Sequence, residues 1–192
     1  RELADFVRDG KPRTDHEEKF RASRATQEWT LTPAALDLLQ LLDIGKTRRG
    51  LRVLDLGCGS GVFGVALAHR DPDSKITMFD DPSQIQRART TAESVGIANQ
   101  FTWIEADPAT ELGRLDDVQP FDLVVAANYF RWLDSSGRAT ALDKLATMIG
   151  PEGELAMIDI FPGQPDGDLH RAVVELETEL CSAGSIIDPI AM

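Results

Sequence analysis

The run Val53-Leu54-Asp55-Leu56-Gly57-Cys58-Gly59-Ser60-Gly61 limits what this chain can become more than any other stretch. A short apolar segment passes directly into three glycines at alternate positions, and a helical pattern follows over 62–69. Glycines tolerate positive φ and let backbone approach a ligand with no Cβ in the way. The first turn of the next helix presents N–H groups that have no partner inside the helix. Strand, glycine turn and helix in this order open a βαβ unit, and open α/β sheets bind ligands at the carboxyl ends of their strands.

The rest of the chain repeats the alternation. Thr32-Pro33 reads as an N-cap and a first-turn proline, followed by a stripe of Ala35, Leu38, Leu39 and Leu42 that Gly45 can end. Strands are expected over 51–55, 75–80, 101–105, 121–127 and 154–160. The 121–127 run is apolar enough to be buried on both faces. Asp81-Pro82 starts a helix carrying Ile85, Ala88, Ala92 and Val95 before Gly96. Residues 107–120 read as loop with at most one helical turn. Ser135 or Ser136 can cap a helix bearing Leu142, Leu145 and Ile149 that Gly150-Pro151 closes, and a last helix is expected over 168–181. The pattern predicts an α/β fold, a mostly parallel sheet with helices on both faces. Residues 1–30 are charged and sparse in apolar positions, and read as a linker or helical segment before a ligand-binding domain over 31–192.

Composition removes several classes of function. With 42% hydrophobic and 27% charged residues, the 192-residue chain reads as one soluble globular domain. No apolar run is long enough to span a bilayer. The net charge is −12, and a duplex binder needs a basic stripe that is missing here. The one basic cluster, Lys46, Arg48, Arg49 and Arg52, reads as a solvated loop. Nucleic acid and anionic membranes are therefore poor partners, and a small neutral or cationic substrate or a protein fits better. Two cysteines, Cys58 and Cys181, make no disulfide framework, which suits a reducing cytoplasm. The scattered His16, His69 and His170 show no metal spacing.

Two acids complete the candidate site. Asp80 lies 23 residues after Gly57, at the end of the second expected strand, where a carboxylate can accept hydrogen bonds from both hydroxyls of a ribose. Asp107 follows the third strand and can meet an adenine edge; on its own it would be an ordinary loop acid. Asp80 could instead be the N-cap of the next helix, although Asp81 is better placed for that. Gly59-Ser60-Gly61-Val62-Phe63-Gly64 also fits G-x-G-x-x-G, so a dinucleotide site stays open, but that reading leaves Asp55 and Gly57 without a role. Cys58 reads as a small turn residue.

Residues 54–61, Leu-Asp-Leu-Gly-Cys-Gly-Ser-Gly, resemble the first motif of class I S-adenosylmethionine (SAM)-dependent methyltransferases. Asp80 resembles their ribose-binding acid, Ala106-Asp107 the motif after their third strand, and Phe121-Asp122-Leu123-Val124-Val125 that of the fourth. Gly150-Pro151-Glu152-Gly153-Glu154-Leu155 resembles the turn into the fifth. The likeness runs in order over about residues 50–162. It implies a Rossmann-like fold, SAM as cofactor, and a site made of Asp55, Gly57, Gly59, Gly61, Asp80, Asp81, Ala106 and Asp107. Phe79-Asp80-Asp81-Pro82, with Asp9-Gly10-Lys11-Pro12 upstream, resembles the small-molecule O-methyltransferases that carry an N-terminal winged-helix dimerisation domain. That likeness implies a fragment of a longer protein, a homodimer formed through the missing domain, and a sheet that ends before its last two strands.

Methyl transfer needs the nucleophile aligned behind the methyl group and water excluded, because the sulfonium is already electrophilic. Those O-methyltransferases also place a histidine base just after the fourth strand. Here the segment reads Asn128-Tyr129-Phe130-Arg131-Trp132, and Phe130 or Arg131 stands in its place. Neither is a plausible base, and the aromatics suit core packing as well as substrate stacking. No catalytic residue is named, and no metal is implied. Three functions follow: methylation of a small aromatic or polyketide-like acceptor at O, N or C; SAM binding without transfer; and nicotinamide oxidoreduction.

Overall fold

The computed structural model describes residues 28–118 and 120–159. The expected linker over 1–30, apart from its last residues, and the helix over 168–181 lie outside them. Among the described residues, no helix is long and apolar enough to cross a membrane.

Five strands, β1 (Arg52–Leu56), β2 (Lys75–Asp80), β3 (Phe101–Glu105), β4 (Phe121–Ala127) and β5 (Ile149–Ile158), form one sheet in the order β3-β2-β1-β4-β5. Every pair is parallel. The helices α1 (Thr32–Leu41), α2 (Val62–Arg70), α3 (Pro82–Ser94) and α4 (Ser135–Met148) lie between or before the strands. The chain crosses from β3 at one edge to β4 beside β1, so the order reverses between β1 and β4. A crevice opens at the carboxyl ends there.

Strand side chains alternate between two cores. Val53, Ile76, Met78, Leu123 and Val125 face α1, α2 and α3 through Ala35, Leu38, Leu67, Ile85 and Ala88. Leu54, Leu56, Phe79, Val124 and Ala126 face α4 and a short 3-10 turn, Leu112–Leu115, through Leu112, Leu115, Ala141 and Leu145. β4 is buried on both faces as its composition requires.

Three local expectations are corrected. A 3-10 turn, Glu28–Leu31, runs into α1, so Thr32 is already helical and Leu31 holds the cap position. The cap of α4 is Asp134 and not Ser135 or Ser136; its carboxylate accepts from the Gly137 N–H at 2.7 Å and the Ser136 hydroxyl at 2.8 Å. A carboxylate also meets the helix dipole better than a hydroxyl. Finally, Gly150-Pro151 does not close a helix outside the sheet. β5 already begins at Ile149, which pairs with Phe121, and the register then jumps so that Leu123 faces Glu154. A bulge absorbs the extra residues, and a proline is tolerated there because no ladder N–H is required of it.

The basic cluster is neutralised at the opposite end of the sheet. Arg48 pairs with Glu154 at 2.8 Å, Arg52 with Asp122 at 3.1 Å, Arg49 with Asp71 and Asp73 at 3.8 Å, and Lys46 with Asp43 at 3.7 Å. The Arg52 guanidinium holds the Asp122 carboxyl below the usual carboxylate range.

Gly64 explains the third glycine of the G-x-G-x-x-G pattern by packing. A Cβ there would lie 2.3 Å from Met78 Cε, 2.8 Å from its Sδ and 2.9 Å from Asp55 Oδ2. Its N–H donates to that same Asp55 oxygen at 2.8 Å. Gly64→Ala is expected to lower the unfolding free energy by about 1–2 kcal/mol, because the flexible thioether yields part of the space. The shift in the urea midpoint measures it.

Candidate functional site

The crevice is built from the β1 end outward. Leu56 leads into a turn in which Gly57, Gly59 and Gly61 have φ of 65°, 55° and 81°. These are left-handed values that a side chain would strain. The turn is stitched to β2: the Gly57 N–H donates to the Phe79 carbonyl at 2.9 Å, and the Gly59 N–H donates to Asp80 Oδ2 at 2.8 Å. The other carboxylate oxygen, Oδ1, accepts from the Asp81 N–H at 2.8 Å. Asp80 is 7% exposed. Two backbone bonds thus fix its carboxylate against the glycine turn.

The remaining expected residues fall around this centre with different duties. Asp55 is buried beneath the turn and anchors Gly64 of α2. Asp81 caps α3, its Oδ1 accepting from Ser83 N–H at 2.9 Å, Gln84 N–H at 3.3 Å and the Ser83 hydroxyl at 2.6 Å. Ala106 is buried, and its N–H donates to the Asp80 carbonyl at 3.0 Å. Asp107 is exposed and organises the loop after β3, accepting from Ala109 N–H at 2.9 Å and the Thr110 hydroxyl at 3.0 Å. The Cys58 thiol is buried, 3.9 Å from the Gly59 carbonyl.

The segment after β4 turns inward. Asn128 has φ 56°, and Tyr129 and Phe130 are buried edge to face, with ring centres 5.0 Å apart. The Tyr129 ring covers Gly57: a Cβ on that glycine would lie 3.3 Å from Tyr129 Cδ2. The Tyr129 hydroxyl donates to the Pro108 carbonyl at 2.7 Å, tying the β4 end to the loop after β3. Burial, with Asp107 nearby, pushes the phenol far above its ordinary value, so it stays a neutral donor. Arg131, also buried, donates from Nη2 to Asn128 Oδ1 and to Asp159 Oδ1 just after β5. The aromatics therefore act as core. Asp159 had no sequence signal beyond standing at the end of an apolar strand. Among the described residues, no group of three His, Cys, Asp or Glu side chains could hold a metal ion.

A glycine turn clasped to a strand-end carboxylate, at the switch point of a parallel sheet, defines a Rossmann-like nucleoside-binding domain. The methyltransferase domain family matches residues 53–153, and the chain belongs to that family, whose methyl donor is S-adenosylmethionine. It is 32% identical to trans-aconitate 2-methyltransferase of Streptomyces coelicolor, over 65% of this chain and 39% of that one. It is 31% identical to ribosomal protein L11 methyltransferase of Vibrio campbellii, over 83% and 46%. The chain thus spans less than half the length of these curated relatives. Among solved structures, an O-methyltransferase family protein from Burkholderia thailandensis superposes with a TM-score of 0.77 at 17% identity, over 98% of this chain and 58% of that one. Human N-acetylserotonin methyltransferase in complex with SAM superposes at 0.69 with 20% identity, over 98% and 56%. These two likenesses are of fold.

Proposed function

We propose that the protein transfers the methyl group of SAM to a small-molecule acceptor, at an oxygen, nitrogen or carbon of an aromatic or polyketide-like compound. The observation that carries this reading is the Asp80 carboxylate, held by backbone against the glycine turn. The donor fits the residues present. Asp80 would take the ribose hydroxyls. The backbone of Gly57, Gly59 and Gly61 would take the amino-acid portion, which no Cβ obstructs. Ala106 and Asp107 would border the adenine. Asp55 and Asp81 would serve from behind, one fixing α2 and the other α3.

When bound, the sulfonium supplies an activated methyl group. The protein's part is to orient the acceptor, exclude water and leave the methyl exposed on one side. Buried Tyr129 and Phe130 wall the crevice on the β4 side. The small-molecule reading draws support from the trans-aconitate enzyme and from an O-methyltransferase of Planctomyces limnophilus solved with apigenin. Phe130 and Arg131, standing where a base would be, favour a second reading in which SAM binds without transfer.

Calorimetric titration of the purified chain is expected to show saturable binding of SAM and S-adenosylhomocysteine and no heat with NADH. Methyl-labelled SAM should then label a small acceptor. Saturable SAM binding with no transfer, using the longest natural form of the protein, would favour the second reading. Binding of NADH alone would discard both.

A further inference from the structure

We infer that Arg131 binds the methyl acceptor, and that this acceptor is an oxygen acid already ionised at neutral pH, a carboxylate above all. The inference rests on the proposed reading of the crevice as a methyl-transfer site, and adds the substrate class.

Arg131 is a cation brought indoors: its side chain is 7% exposed, and that of its partner Asp159 is 1% exposed. Arg131 lies in the short turn after β4 and Asp159 just after β5, at the same end of the sheet as Tyr129 and Gly57. Removing charges from water is costly unless their hydrogen bonds are met. Yet, among the described residues, both hydrogen bonds from its side chain use one nitrogen, Nη2. Its Nε–H is buried without a partner. A guanidinium offers five donors in a fixed fork that matches two acceptor oxygens side by side. Asn128 and Asp159 aim the fork and leave donor capacity for a ligand of that shape.

Proton accounting leads to the same class. The described rim holds no histidine to take a proton from a neutral phenol. Tyr129 is itself held as a phenol. Asp159 is engaged by the Arg131 guanidinium, and carboxylates in general are far weaker bases than phenolates. His69, the histidine among the described residues, sits in the last turn of α2, away from the strand carboxyl ends. An ionised acceptor needs no base. Its oxygen lone pair forms the O–CH3 bond as the C–S bond breaks, and the bonding pair stays on sulfur. The products are a methyl ester and neutral S-adenosylhomocysteine, and no proton is released. The charges close as well: the acceptor's −1 cancels the sulfonium's +1, and Asp159 cancels Arg131. The overall charge of −12 disfavours anions at long range, where salt screens it, and the guanidinium acts on an acceptor through hydrogen bonds at short range.

The test uses the full chain with SAM against matched small acids and phenols. Carboxylic acids should yield methyl esters, with kcat/KM flat between about pH 6 and 9. Arg131→Gln should raise the acceptor KM at least tenfold while SAM affinity, read by calorimetry, stays within about threefold. Arg131→Lys, which keeps the charge without the fork, should recover part of that loss and remains informative if Arg131→Gln misfolds. Transfer only to phenols, with kcat/KM rising tenfold per pH unit, would overturn the inference and leave the methyltransferase reading standing. So would an unchanged acceptor KM in a folded Arg131→Gln. A wild-type chain that does not bind SAM would overturn both.

Discussion

Asp80→Ala is expected to weaken SAM binding by about 100-fold. Two ribose hydroxyls donating to an ionised acceptor contribute roughly 1.5–3 kcal/mol each, and about 3 kcal/mol in total corresponds to that factor. The carboxylate also orders the glycine turn through the Gly59 and Asp81 N–H groups, so truncation removes part of the preformed shape. Asp80→Asn keeps an acceptor oxygen and loses the charge, and should fall between the two, at about tenfold. Calorimetry reads both changes. Unaltered affinity in a folded Asp80→Ala protein would remove this residue from the site, and with it the observation on which the proposed function stands.

A large effect on stability is expected at Gly153. A Cβ there would lie 2.6 Å from the Phe121 carbonyl oxygen, 2.7 Å from Ile149 Cγ2 and 3.1 Å from the Gly150 nitrogen. Two of these atoms are backbone, and they sit where the β4–β5 register shifts. Neither can move without opening the sheet. Gly153→Ala should therefore cost about 3 kcal/mol, the upper part of the overpacking range. For a chain of this length, that lowers the melting temperature by roughly 6–12 °C. Gly150→Ala is the control: its Cβ would stand 3.5 Å from the same carbonyl, an ordinary contact, and should change melting little. Equal effects at the two positions would refute this account of the bulge.

The strands were legible in the sequence where local pattern decides them. β2, β3 and β4 fall where short runs rich in apolar, β-branched and aromatic residues lie between turn residues, too short to be helices. What went unread depends on partners distant in sequence. Ile149 continues a helical stripe by pattern, yet it pairs with Phe121, and that contact draws it into β5. The cap of α4 fell on Asp134 because serine and aspartate both suit such a position, and only the approach of the chain chooses between them.

The candidate site divides in the same way. The place of Asp80 beside the glycine turn was legible because that turn and one strand length set where the second strand ends. Asp107 shows the limit of that logic, since its carboxylate is engaged by Ala109 and Thr110 within its own loop. The Arg131–Asp159 pair was hidden, being formed across 28 residues of chain. Arg131 was visible only as a misfit where a base had been expected.

The Tyr129 hydroxyl bond to Pro108 has a mechanical consequence. It fastens the segment after β4 directly to the loop after β3. Neither can swing outward without breaking a hydrogen bond shielded from solvent, so the two travel as a single jaw.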